Sequence, residues 1–132
     1  MEVVVDYKGN MGFNAVCGEH AIAIDLPEAD GGKNKAANPP QLFLASLASC
    51  VGVYVAKYCE NAGIDTNGMK IGISAEKAQN PARLADIKIN VDLPNAELGK
   101  RRNAVMAVAK KCLIHSTIES APEVAIELTD KE

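Results

Sequence analysis

The sequence predicts an α+β domain, on three observations. Segments of alternating apolar residues come in groups, a long apolar stretch without proline separates the first group from the second, and no internal repeat relates the two halves. The expected order is three strands, a helix, two strands, a helix and a final strand, with an antiparallel sheet and a long central buried helix. At 132 residues the chain is long enough to bury one continuous core without metal or disulfide staples, so a single domain over residues 1–132 is expected. Hydrophobic residues at 48% against 23% charged exclude a disordered chain.

Val3, Val5 and Tyr7 alternate along the first segment, and Lys8-Gly9-Asn10 supplies turn chemistry before Phe13, Ala15 and Cys17, which predicts a hairpin. A third strand follows, with His20, Ile22, Ile24 and Leu26 on one face. Pro27 to Pro40 gathers two glycines, polar residues and prolines, so this stretch is expected to be a surface loop.

From Gln41 to Ala62 no proline interrupts the chain. Asn38 and two prolines mark the start of a helix there, and Gly63 is placed to cap its end. Leu42, Phe43, Leu44, Leu47, Val51, Val53 and Val55 leave no continuous polar stripe, which predicts burial on most sides. A membrane span is not expected: the apolar run Leu42 to Ala56 contains two serines and ends at Lys57 after 15 residues, where a span needs roughly 20.

Met69, Ile71 and Ile73 alternate, Gln79-Asn80-Pro81 turns the chain, and Ile87, Ile89, Val91 and Leu93 alternate again between charged and polar residues. This pattern is an antiparallel hairpin with one wet face. A second helix is expected from about Ala96 to Lys111, with Val105, Val108 and Cys112 on one side. A short helical segment from Cys112 to about Glu119 and a last strand through Val124, Ile126 and Leu128 complete the chain.

Charge and composition remove several functions. With 17 acidic and 14 basic residues the net charge is -3, and three Tyr, two Phe and no Trp offer few platforms for stacking bases, so nucleic acid is not an expected partner. Lys100, Arg101, Arg102, Lys110 and Lys111 interleave with Ala and Val at helical spacing and read as a solvated helix face. The N-terminus lacks a basic region followed by an apolar one, so a reducing cytoplasm is the expected compartment.

Cys17, Cys50, Cys59 and Cys112 are few and far apart, a pattern of free thiols, a catalytic pair or metal ligands rather than a disulfide scaffold. Cys50 falls near the middle of the first helix, with Ser46 and Tyr54 one turn away on its face. Cys59, about 180° round that helix, reads as a packing residue. Cys112 follows Lys110 and Lys111 at a break between helical segments, a setting that favours the thiolate, and His115 lies one turn on. Cys17-Gly-Glu-His20 repeats the Cys-x-x-His spacing of Cys112 and His115. The four could make a Cys₂His₂ zinc site, but Cys17 and His20 sit on or beside a strand, and no metal is expected.

Two of these segments together resemble the OsmC/Ohr family. Asn-Pro-Pro-Gln-Leu-Phe-Leu-Ala-Ser-Leu-Ala-Ser-Cys, ending at Cys50, is similar to that family's central-helix motif. Cys112-Leu-Ile-His-Ser-Thr-Ile is similar to its second cysteine motif, commonly Cys-Pro-Val-His-x-x-Leu. The resemblance implies an intertwined homodimer whose subunits both wall each active site. It also implies a thiol peroxidase in oxidative-stress defence, in which Cys50 reduces an organic hydroperoxide and condenses with Cys112, and a dithiol or lipoyl-type reductant restores both thiols, without a cofactor.

The sequence departs from that pattern at three places. Pro40 stands where the family has a glutamate ten residues before the cysteine, residues 8–12 contain no arginine, and Leu113 replaces the proline. Lys8 is the cation nearest in sequence to the missing arginine and, with His115 and Tyr54, is a candidate supporting residue. The alternative reading is a non-enzymatic protein of the same fold that binds a small hydrophobic ligand in the dimer cleft.

Overall fold

Asn10 and Met11 both adopt left-handed φ, 51° and 63°, the pair of conformations a type I′ turn requires. They join β1 (Val4–Gly9) to β2 (Gly12–Cys17) as an antiparallel hairpin. Two residues, Gly18 and Glu19, then lead to β3 (His20–Ile24), and the three strands form one sheet in the order β1-β2-β3. The computed structural model describes residues 1–131, grouped in two compact units: residues 1–46 with 73–88, and residues 47–72 with 89 onward.

In the first unit β3 ends at Ile24 and not at Leu26, because the next residue organises the loop. Asp25 is only 5% exposed, and its carboxylate accepts backbone N–H bonds from Leu26 (2.8 Å), Lys33 (3.3 Å to each oxygen) and Lys35 (3.0 Å). A Cβ at Gly32 would collide with the Leu26 carbonyl, so the loop closes this tightly only with glycine. The stretch expected to be irregular is a pinned loop with a 3₁₀ turn at Glu28–Asp30.

The central helix α1 spans Pro39–Ala62 and passes from the first unit into the second. Its start is a reciprocal cap: Gln41 N–H donates to Asn38 Oδ1 (3.0 Å) and Asn38 N–H donates to Gln41 Oε1 (2.9 Å). The two prolines fit in the first turn, where their missing N–H groups leave no bond unmade. At the other end Gly63, at φ 68°, donates to Glu60 O (3.3 Å) while Ile64 donates to Cys59 O (2.8 Å), the two bonds of a Schellman motif.

In the second unit Leu47, Val51, Val55 and Cys59 recur every four residues and form a buried stripe, joined by Val105 and Cys112. A Cβ on Gly52 would lie 3.2 Å from Ile71 Cγ1, which shows how closely the sheet approaches the helix there. The expectation that α1 is buried on most sides is corrected. Phe43, Val53 and Tyr54 are 40%, 49% and 37% exposed, because the other described residues leave them uncovered. By length and composition α1 is apolar enough to cross a bilayer, and within the chain its Leu47, Val51, Val55 and Cys59 stripe is buried as core.

β4 (Lys70–Ala78) and β5 (Arg83–Asp92) form the second antiparallel sheet, with Arg83 Nη1 donating to the Gln79 and Pro81 carbonyls (3.1 and 2.9 Å) across the turn. The next helix is shorter than expected. Residues 93–96 form a turn and Gly99, at φ 50°, leaves the right-handed helical region, so a 3₁₀ turn (Gly99–Arg101) precedes α2 (Arg102–Ala109). The short segment α3 (Leu113–Glu119) forms as expected.

The last expected strand does not form. Residues 121–131 carry no regular structure, and Val124, Ile126 and Leu128 are 79–94% exposed. Alternation gives a strand its faces, but a ladder needs a partner edge, and the described residues provide none for this segment.

Candidate functional site

Within the second unit, two cysteines distant in sequence become neighbours. Cys50 sits on α1 at intermediate exposure, beside the side of the helix that the chain leaves open. Cys112 stands at the N-cap of α3 with extended backbone (φ -60°, ψ 145°), and its Sγ accepts the backbone N–H of His115 at 3.2 Å. Its carbonyl accepts from Ser116 N–H at 2.9 Å, so one residue satisfies two positions of the helix start. Cys50 is close enough to Cys112 to perturb its thiol, and both thiols are free.

Burial separates the two. Cys112 is fully shielded, and burial pushes its thiol above the ordinary value; the N–H of His115 works in the opposite direction, and the adjacent Cys50 adds to the rise. The sequence had suggested the reverse, a helix N-terminus beside two lysines holding Cys112 as thiolate. That expectation fails because desolvation at a fully buried sulfur outweighs the backbone N–H groups of His115 and Ile114, while Lys110 and Lys111 are exposed. Cys59, also fully buried, is raised by desolvation alone and has the packing role expected of it.

His115, a candidate supporting residue, meets Cys112 through its main chain. Its backbone, not its imidazole, bonds Cys112, and Nε2 lies 3.2 Å from Glu119 Oε1 one turn on. Glu119 was missed in the sequence, although the four-residue spacing from His115 on a predicted helix was a readable signal. Tyr54 lies one turn beyond Cys50 on α1, 37% exposed. Lys8 belongs to the first unit, at the exposed end of β1. Asp25, also in the first unit, was not singled out from the sequence, because its partners come from an irregular loop.

Among the described residues no three His, Cys, Asp or Glu side chains are grouped to hold a metal. The arrangement instead offers two adjacent free thiols of unequal burial. Loss of two electrons and two protons from such a pair yields one disulfide, provided the Cα atoms reach bridging distance.

The family model described as OsmC-like protein matches residues 32–127, a span that contains both cysteines. Among solved structures, a Psychrobacter arcticus protein named for osmotic stress induction and detoxification response is 23% identical with a TM-score of 0.79, over 87% of this chain and 85% of that one. An OsmC-like protein of Mycoplasma pneumoniae is 19% identical with a TM-score of 0.76, over 91% and 87%. The organic hydroperoxide resistance protein OhrB of Bacillus subtilis is 19% identical with a TM-score of 0.63, over 91% and 90%. At these identities the likeness is one of fold. Comparison with curated proteins finds no match.

Proposed function

Because the chain belongs to the OsmC-like protein family, we propose that it serves in oxidative-stress defence by reducing organic hydroperoxides with Cys50 and Cys112. The observation that carries this reading is the adjacency of a partly accessible thiol and a fully buried one, drawn from separate helices. Solved neighbours named as organic hydroperoxide resistance proteins support it.

In the proposed cycle the Cys50 thiolate attacks the distal oxygen of the hydroperoxide. The O–O bond breaks, Cys50 becomes a sulfenic acid, and the alkoxide leaves with a proton as the alcohol. The Cys112 thiol then displaces water from the sulfenic sulfur and forms the disulfide. A dithiol of lipoyl type reduces that bond by exchange and is itself oxidised to its cyclic disulfide. Each subunit thereby accepts two electrons per peroxide and returns to two thiols.

Unequal burial fits unequal roles. Cys112, raised by burial, stays a thiol at neutral pH beside Cys50, poised to condense with the sulfenic acid once it forms. The uncovered face of α1 around Cys50 is the surface on which a second copy of the chain would sit, closing the pocket over the reacting sulfur.

Steady-state consumption of an alkyl hydroperoxide with a lipoyl dithiol tests the proposal. Cys50→Ser is expected to remove turnover, and Cys112→Ser to permit one turnover and then accumulate over-oxidised Cys50. Unchanged turnover in Cys50→Ser would rule out this chemistry, and no turnover in the parent chain would favour a ligand-binding role.

A further inference from the structure

The turn between β2 and β3 holds a second thiol and imidazole that the peroxide chemistry does not use. Cys17 and His20 are direct cross-strand partners on either side of Gly18 and Glu19. Gly18, at φ 64°, takes the left-handed conformation at the first turn position, which lets the chain reverse within two residues. Two such partners project from the same face of the sheet, with Cβ atoms about 4.5–5.5 Å apart.

That spacing suits a shared ion. A tetrahedral zinc with Zn–S of about 2.3 Å and Zn–N of about 2.0–2.1 Å holds the two donor atoms about 3.6 Å apart, within reach of side-chain rotation from those Cβ positions. The two-residue gap is also that of the Cys-x-x-Cys half of a zinc finger. Cys17 is half-buried and His20 exposed, so an incoming ion has access. Ala15 and Ile22, the next pair on the same face, give it an apolar flank. Among the described residues neither Cys17 nor His20 has a side-chain hydrogen bond or ion pair to surrender. The other Cys-x-x-His segment differs on each point: Cys112 is buried as a helix cap, and His115 is held by Glu119.

We propose that Cys17 and His20 form a two-ligand site for a soft or borderline divalent transition-metal ion such as Zn²⁺. Thiolate and imidazole together select that class over Mg²⁺ or Ca²⁺. On binding, the Cys17 thiol releases one proton to solvent and its sulfur replaces one water on the ion, while neutral His20 replaces another. The remaining positions keep water or accept a small ligand. Two protein ligands, unlike the four of a structural zinc site, make the ion exchangeable and leave the fold independent of it.

Cobalt(II) is the probe, titrated into reduced Cys50→Ser/Cys112→Ser protein, which removes the adjacent thiol pair and leaves only the buried Cys59 besides Cys17. A sulfur-to-cobalt charge-transfer band saturating at one ion per chain is expected. Adding Cys17→Ser should abolish the band, and adding His20→Ala should weaken binding at least about tenfold, both with unchanged circular dichroism. Absence of the band in the parent, its persistence in Cys17→Ser, or unaltered affinity in His20→Ala would overturn the proposal.

Discussion

The Asp25 carboxylate is nearly closed off from water yet surrounded by backbone donors, and its environment sets a pH dependence. The N–H groups of Lys35 and then Leu26 hold its carboxyl below the usual carboxylate range, against the opposing effect of burial. A depressed folded-state value means that the charged form stabilises the fold above the unfolded value of about 4, and that this contribution is lost as pH falls through the lower, folded-state value. The melting temperature is therefore expected to drop in acid below about pH 4. In Asp25→Asn it should be lower at neutral pH and flatter across that window; a variant with the parent's acid profile would contradict the assignment. None of this was legible in the sequence, since the donors lie eight and ten residues away in a loop without periodicity. Cys50 and Cys112 were legible because each sits in a motif. The protonation preference of Cys112 was not, because it depends on how completely the core closes around it.

Among the elements, α1 was read to within two residues at its start and to the residue at its end, because both termini carry local chemistry: Asn38 with Gln41, and Gly63. Its buried stripe gives a stability prediction. Leu47→Ala removes a fully packed side chain and is expected to cost about 2–5 kcal/mol, while Asn38→Ala removes a cap for about 1 kcal/mol. Chemical denaturation checks both, and equal costs would contradict the core assignment. The errors have a common physical origin. Alternation at Val124, Ile126 and Leu128 encodes a two-faced strand but not the neighbour it must bond, and the apolar residues of α1 encode a preference for burial but not an element to cover each side. The late start of α2 is readable in principle at Gly99, since glycine is costly in a helix interior.

At the scale of the whole molecule, the order of strands and helices was legible except for the last strand, and the family match over residues 32–127 agrees with the resemblance carried by the two cysteine motifs. The open faces of α1 and of residues 121–131 lead to a prediction about assembly. The chain is expected to elute as a homodimer by light scattering, and Val53→Asp, which places a charge on the uncovered face of α1, should shift it toward monomer. A monomeric parent chain would contradict that expectation while leaving the thiol chemistry open. The central claim concerns the two thiols, and the most direct test is to treat the reduced protein with one equivalent of an organic hydroperoxide and map its cysteines by peptide mass. The account predicts a single Cys50–Cys112 disulfide, with Cys17 and Cys59 still reduced; four unchanged thiols, or a disulfide that omits Cys50, would contradict it.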